Sequence, residues 1–512
     1  MEGLSLEEKI GQMLVVGFHG YKAPEHILDW LSEGRIGGVI LFARNVDSPH
    51  QLAELTKTLH GAAKNPILIA IDQEGGTVAR LRVGYTESPG AMALGAADNT
   101  GLTEQVSGVL ATELRALGIN WNLAPAIDLT HNIHNPSVGT RSIGADPEHV
   151  TRHAVAQING FQNSGIAATA KHFPGKANTP VDPHVELPVI EGRLEEMWST
   201  DLVPFRAVCD AGVAAVMITH VQFKDIEPTY PSTLSSRIIT GLLRKKMGYK
   251  GLITTDCMEM KAVTNKYGPG ESAVLAVTAG ANTVLFSHTR EYQEEVYDAL
   301  LEAAESGRLS ERQIDYSVQR IADVKQRYPA KPRPPLSVIR QPSHLEVTLR
   351  AARAGLVLLH NDRRLIPLKQ DERVALLEFA SHLEQPSLSR STPTVFSSLL
   401  KERFPEYASV WLDPVAPTSA QIKQAEQLTE SDRVIVATRN AHLSPVQKTQ
   451  TERFLGRESI LVCLRNPYDA GIIQCETTLL TLGDSTPSMQ AAVEALGGDF
   501  TPSTRLRVPL TM

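Results

Sequence analysis

Short apolar runs alternate with longer amphipathic stretches through the first ~330 residues. The runs are MLVVGF (13–18), GGVILF (37–42), ILIAID (67–72), INWNLAP (119–125), AATAKHF (167–173), AAVMITHV (214–221), GLITTD (251–256) and TVLFSH (283–288). They lack period-2 alternation, as expected of strands buried on both faces. Helical patterns fall between most of them, for example over 103–118, 149–165 and 235–248. Several end in Gly, an ordinary helix stop. Eight strand–helix units predict a (β/α)8 TIM barrel. A doubly wound open sheet competes with it. That fold usually carries a Gly-rich phosphate loop after its first strand, and GFHGYK (17–22) is a poor one.

Residues 330–342, PAKPRPPLSVIRQ, are rich in Pro and basic groups and read as a linker. A second α/β series follows. Its candidate strands are 355–361, 373–380, 408–413, 433–438, 459–464 and 478–483, with helical patterns such as 420–430 and 488–496. The expected division is a TIM-barrel catalytic domain over 1–330, a linker over 331–343 and a smaller three-layer α/β sandwich over 344–512. Beyond the β–α alternation no internal repeat or low-complexity tract stands out.

Composition narrows the class. The chain has 512 residues, enough for two cores, with 42% hydrophobic and 21% charged residues. A net charge of -7 argues against a nucleic-acid partner. The four cysteines form no CxxC pair, so neither a zinc site nor a disulfide framework is expected. No apolar run approaches the roughly 20 residues of a membrane span. The first residues lack a basic and then apolar leader, so a cytoplasmic location is the expectation.

Chemistry accumulates where the candidate strands end. Strand three ends at Asp72 and runs into Gln-Glu-Gly-Gly, with Arg80 following. Strand four leads into a loop holding Asp128 and Arg141. Strand five ends at Lys171 and His172, strand six at His220, and strand seven at Asp256. In a barrel these ends share one mouth. Charges there are costly unless paired or used. Structural readings compete. Asp256 can cap the next helix, and Lys171 and Arg141 can be ion-pair partners. His131 and His134 lack metal-ligand spacing and read as loop residues. Gly75-Gly76 is weak as a phosphate motif, since no Lys-Ser/Thr follows. Cys257 reads as packing. Trp30, Trp121, Trp198 and Trp411 are scattered, with no obvious sugar platform.

The loop after strand five is the most informative stretch. Asp182 and His184 are separated only by Pro183. A carboxylate can hold a histidine in one tautomer and make it a proton shuttle, although Asp182 alone also reads as a turn residue and His184 as a surface histidine. Pro183 restricts the backbone that presents the pair. Lys171 and His172 can donate hydrogen bonds to a polar ligand. No cofactor and no metal is expected.

Five blocks carry a resemblance. They are Asp72-Gln-Glu-Gly-Gly-Thr-Val-Ala-Arg80, Asn135-Pro-Ser-Val-Gly-Thr-Arg141-Ser, Lys171-His172-Phe-Pro-Gly, Asp182-Pro-His184 and Ile253-Thr-Thr-Asp256. In order and spacing the chain resembles glycoside hydrolase family 3, specifically its β-N-acetylglucosaminidase subgroup, over about residues 5–330. The second domain resembles, more weakly, the α/β sandwich of many members. The resemblance implies Asp256 as nucleophile, His184 as acid/base and Asp182 as its orienting partner. It implies Asp72, Arg80, Arg141, Lys171 and His172 as ligands of the terminal sugar. The chain departs from the subgroup pattern at Lys176-Ala177, Pro183 and Cys257.

The expected activity is retaining, exo-acting hydrolysis of terminal β-linked GlcNAc from peptidoglycan- or chitin-derived fragments, through a covalent glycosyl-aspartate. An anion on one face of the sugar and a proton donor on the other suit the oxocarbenium-like transition state. A histidine with an ordinary pKa near 6.5 already titrates usefully. Three alternatives stay open: a phosphorylase using the same residues, because a histidine acid/base does not repel phosphate; a family β-glucosidase; and a non-catalytic sugar-binding protein on the same fold.

Overall fold

A computed structural model describes residues 3–176, 179, 187–380, 394–430 and 433–511. Asp182, Pro183, His184 and Ala177 lie outside the described residues. Eight strands form the first unit: β1 (Leu14–Val16), β2 (Gly38–Leu41), β3 (Leu68–Ile71), β4 (Trp121–Asn122), β5 (Ala167–Phe173), β6 (Ala215–Ile218), β7 (Leu252–Cys257) and β8 (Thr283–Phe286). All pair in parallel, and Leu14 opposite Val284 closes the barrel. The open-sheet alternative is thereby excluded. Their side chains are almost all buried, which is why the runs showed no alternation.

β4 is much shorter than its apolar run. Pro125 cannot donate to a ladder, and asparagine side chains take over the pairing. The Asn122 amide binds the backbone N–H of Gln73 at 3.0 Å and its carbonyl at 3.0 Å. Asn120 does the same for Ile69 N–H and Ile67 C=O. The pattern expected as a helix over 235–248 is a π-helix, Arg237–Lys246, a winding that hydrophobic periodicity does not separate from an α-helix.

The second unit is a six-stranded sheet with helices on both faces. Its strands are β9 (Val357–Asn361), β10 (Val374–Phe379), β11 (Tyr407–Leu412), β12 (Arg433–Thr438), β13 (Ile460–Cys463) and β14 (Thr477–Leu480). Their order is β9-β14-β13-β12-β10-β11, with only β9 antiparallel. Separate apolar clusters cover the two faces, around Phe396 and Leu496 and around Leu412 and Phe454.

The Pro-rich connection is pinned to the barrel. Glu113 accepts hydrogen bonds from Arg340 N–H at 2.9 Å and from the His344 ring at 2.8 Å. The helix Pro342–Gly355 then wedges between the units. A Cβ on Gly355 would stand 2.2 Å from Ala93 O, so only glycine permits this approach. A third apolar cluster, including Met92, Ile133, Leu461 and Tyr468, seals the junction. Among the described residues no helix is long and apolar enough to cross a membrane.

Candidate active site

Parallel closure brings the ends of β3, β5, β6 and β7 to one mouth. Residues 99 apart in sequence therefore touch: Lys171 Nζ lies 2.8 Å from Asp72 Oδ1. The other Asp72 oxygen receives Arg80 Nη2 at 3.2 Å. Lys171 also reaches Glu74 Oε1 at 2.7 Å. Arg141 grips Glu74 through Nε and Nη2, both at 2.8 Å, a bidentate pair. Arg80, Asp72, Lys171, Glu74 and Arg141 thus form one continuous ionic chain.

Burial pushes the Asp72 and Glu74 carboxyls up, but the neighbouring Lys171, Arg80 and Arg141 charges outweigh it and hold both well below the usual carboxylate range. Lys171 is correspondingly raised, because Asp72 and Glu74 overcome its desolvation. The ion-pair reading of Lys171 and Arg141 is therefore right in geometry. It does not exclude ligand binding, since each carboxylate oxygen keeps lone pairs for a hydroxyl.

Beside this chain, His172 Nδ1 lies 2.8 Å from Asp128 Oδ2. The other Asp128 oxygen accepts Lys176 N–H at 2.9 Å. Burial, reinforced by Lys176 and Arg141, pushes the His172 pKa far down, so the ring is neutral at pH 7. A neutral ring donating from Nδ1 presents Nε2 as an acceptor, here 3.4 Å from Arg141 Nη2. With Nδ1 donating to Asp128, the nitrogen His172 offers a ligand is Nε2, as an acceptor.

Asn135 joins the two loops. Its amide nitrogen donates to Lys176 O at 3.0 Å and Thr179 O at 3.1 Å. Its oxygen accepts Ser137 and Val138 N–H at 2.9 Å each, shaping the turn that carries Arg141. The sandwich supports the same turn. Gly139, at φ +45°, packs so tightly that a Cβ would meet Asn466 Oδ1 at 2.7 Å.

Asp256 ends β7, half-buried, with Oδ1 accepting Cys257 N–H at 2.8 Å. Burial raises its pKa, but His172, Lys176 and His220 lower it further, so the net position is below the ordinary value. The Lys176 ammonium and the Cys257 N–H are among the groups that hold it down. Lys176 is itself brought down to about 8 by burial and by Arg141, with Asp256 and Asp128 pulling the other way. His220 is buried, 2.6 Å from Thr233 Oγ1 and 2.9 Å from Cys257 O, and so anchors the backbone next to Asp256.

The structure brings Asp72, Arg80, Arg141, Lys171 and His172 together, and Asp256 couples to His172 and Lys176 beside them. Asp182 and His184 fall outside the described residues. The sequence reading gave no role to Glu74, to Asp128 or to Lys176. Glu74 lies inside a family block and Lys176 directly beside one, whereas Asp128 sits outside all five. Gly75 and Gly76, weak as a phosphate motif, have a steric role. At φ +91° and +58° they turn the loop against Ser88 and Gly90, where a Cβ would come within 2.6 and 2.8 Å. Trp121 is buried, with Nε1 donating to Thr169 Oγ1 at 2.7 Å, so it offers no sugar platform.

Comparison with known proteins matches this arrangement. The family model for the glycosyl hydrolase family 3 N terminal domain matches residues 5–324. A solved family 3 β-N-acetylglucosaminidase from Paenibacillus sp. str. FPU-7 superposes with a TM-score of 0.94 at 36% identity, covering 99% of each chain. Beta-hexosaminidase A of Pseudoalteromonas piscicida is 27% identical, covering 91% of this chain and 88% of its own. The beta-hexosaminidase of Stenotrophomonas maltophilia (strain R551-3) is 36% identical, across 54% of this chain and 83% of its own. The resemblance to the β-N-acetylglucosaminidase subgroup thus extends along the whole length. The chain belongs to glycosyl hydrolase family 3 and is a glycoside hydrolase.

Proposed function

We propose that this enzyme is a retaining, exo-acting β-N-acetylglucosaminidase that removes terminal β-linked GlcNAc from peptidoglycan- or chitin-derived fragments. The observation that carries the reading is the Asp256 carboxylate at the C-terminal end of β7, coupled to His172 and Lys176, which lower its pKa. The β-hexosaminidase relatives favour GlcNAc over glucose as the terminal sugar.

Asp256 attacks the anomeric carbon as the bond to the leaving oxygen breaks, and His184 supplies that oxygen with a proton. His184 then takes a proton from water, which displaces Asp256 and restores the β configuration. Asp182 orients His184 throughout. Asp72 and His172 Nε2 accept sugar hydroxyls, while Arg80, Lys171 and Arg141 donate. The ring is pre-paired, so its dipoles need little reorganisation when substrate arrives.

The test compares aryl β-GlcNAc with aryl β-glucoside substrates, with and without phosphate, followed by product analysis. Hydrolysis of the GlcNAc substrate with retention, independent of phosphate, is expected. GlcNAc 1-phosphate formed only with phosphate would make the enzyme a phosphorylase. A slow 2-fluoro substrate should label Asp256, and label on another residue would remove the nucleophile assignment.

A further inference from the structure

A second cluster of chemistry lies outside the barrel mouth. His149 and His153 occupy successive turns of the helix Pro147–Asn163 and share one face. Asp98 caps the neighbouring helix Ala91–Ala97 and faces them. One nitrogen from each histidine and one Asp98 oxygen all lie within 4.8 Å of one another. Asp98 Oδ1 stands 3.4 Å from His149 Nδ1 and 3.9 Å from His153 Nε2.

The outer partner fixes the tautomer of His149, while the Thr103 hydroxyl beside His153 can donate or accept. His149 Nε2 lies 2.9 Å from Gly95 O, which only accepts, so Nε2 carries the proton and Nδ1 keeps its lone pair. His153 Nδ1 lies 2.8 Å from Thr103 Oγ1. Its Nε2 points into the cluster, in a fully buried side chain, with no hydrogen-bond partner. A buried, unpartnered nitrogen is costly and calls for an explanation. The two rings, each held from behind, have the outer-shell support that metal-ligating histidines have.

A cation already stands at the centre. Arg152 Nη2 lies 3.2 Å from His149 Nδ1 and 3.3 Å from Asp98 Oδ1. That guanidinium is half exposed and can swing into solvent. Arg507, from the C-terminal segment, binds the other Asp98 oxygen at 2.7 Å, so Oδ1 can ligate once Arg152 has swung out.

We propose that Asp98, His149 and His153 form a binding site for a zinc-class divalent cation, which enters as Arg152 swings out. Two imidazoles and one carboxylate suit zinc, with water as fourth ligand, whereas magnesium and calcium prefer oxygen donors. Tetrahedral ligands about 2.0 Å from zinc stand roughly 3.3 Å apart. Asp98 and His149 already have that spacing, and His153 Nε2, 3.9 Å from Asp98 Oδ1, has to move closer to join them. The expectation of no metal rests on the absence of a CxxC pair and on the spacing of His131 and His134, and leaves His149 and His153 out. The histidine pair one helical turn apart was its missed signal. Through Asp98 and Arg507 the ion would fasten the C-terminal segment to the barrel wall.

The test uses the full chain, stripped with a chelator and titrated with zinc, or with cobalt as a spectroscopic probe. One ion per chain and a raised melting temperature are expected. His153→Gln should weaken binding at least about tenfold. Arg152→Ala, which removes the competing cation and touches no core, should tighten it. Undiminished binding by the His153→Gln chain, or no binding by the Arg152→Ala chain, overturns the proposal.

Discussion

Asp128→Asn tests how the site fixes its histidine. The carboxylate accepts two hydrogen bonds, from His172 Nδ1 at 2.8 Å and from Lys176 N–H at 2.9 Å. An asparagine of the same shape has one acceptor and one donor. If its oxygen faces Lys176, its NH2 faces His172 and forces the other tautomer. Nε2–H then points at the Arg141 guanidinium, 3.4 Å away. If its oxygen faces His172, the NH2 meets the Lys176 N–H. Either way one buried donor loses its acceptor, at a cost of about 1–3 kcal/mol. Burial already disfavours the Asp128 charge, so neutralising it recovers part of that cost. We therefore expect a stability loss of about 1–2 kcal/mol. Loss of the Nε2 acceptor should lower kcat/KM by roughly 5- to 150-fold, the same 1–3 kcal/mol taken from transition-state binding. Denaturant unfolding followed by tryptophan fluorescence, and kcat/KM on an aryl β-GlcNAc, measure the two effects. Ring-15N NMR of His172 reports the tautomer. An unchanged midpoint with kcat/KM within about twofold of wild type would refute the reasoning.

Three further outcomes follow from the geometry. The folded pKa values of Asp72 and Glu74 lie below their ordinary values of 3.8 and 4.5, so their stabilisation is complete above those values and drains away as pH falls below them. Acid unfolding should therefore steepen below about pH 4.5, and Glu74→Gln should flatten that limb; an identical limb removes Glu74 from the account. Lys176 is brought down to about 8, so kcat/KM should fall as pH rises through that value, and Lys176→Arg, whose guanidinium stays charged, should lack that step in a pH–rate profile. Gly76→Ala places a Cβ 2.8 Å from Gly90 Cα at φ +58° and should cost about 1–3 kcal/mol while disordering the Asp72–Glu74 chain, read as lower melting temperature and higher KM.

Much of the fold was legible because burial writes itself into sequence. Strands covered on both faces must be apolar throughout, and the eight runs coincide with eight barrel strands. β4 was overextended because side-chain amides replaced part of its ladder, and a periodicity argument counts only side-chain polarity. In the site, Asp72 and Asp256 were visible as charges at the ends of apolar runs. Asp128 was not given a role, since nothing within its own loop shows that His172, 44 positions on, would sit against it.

The sequence by itself determined the strand–helix alternation and the family motifs, because each is written in local residue order; Asp256 as nucleophile is what the resemblance carried by those motifs implies. Tertiary structure alone decided who pairs with whom. Barrel closure made Glu74 the shared partner of Arg141 and Lys171, turned the free nitrogen of His172 into an acceptor, and set Arg152 between His149 and Asp98. Hydrogen bonding acts over about 3 Å in space and charge coupling over several ångströms more, and distances along the chain carry no record of either.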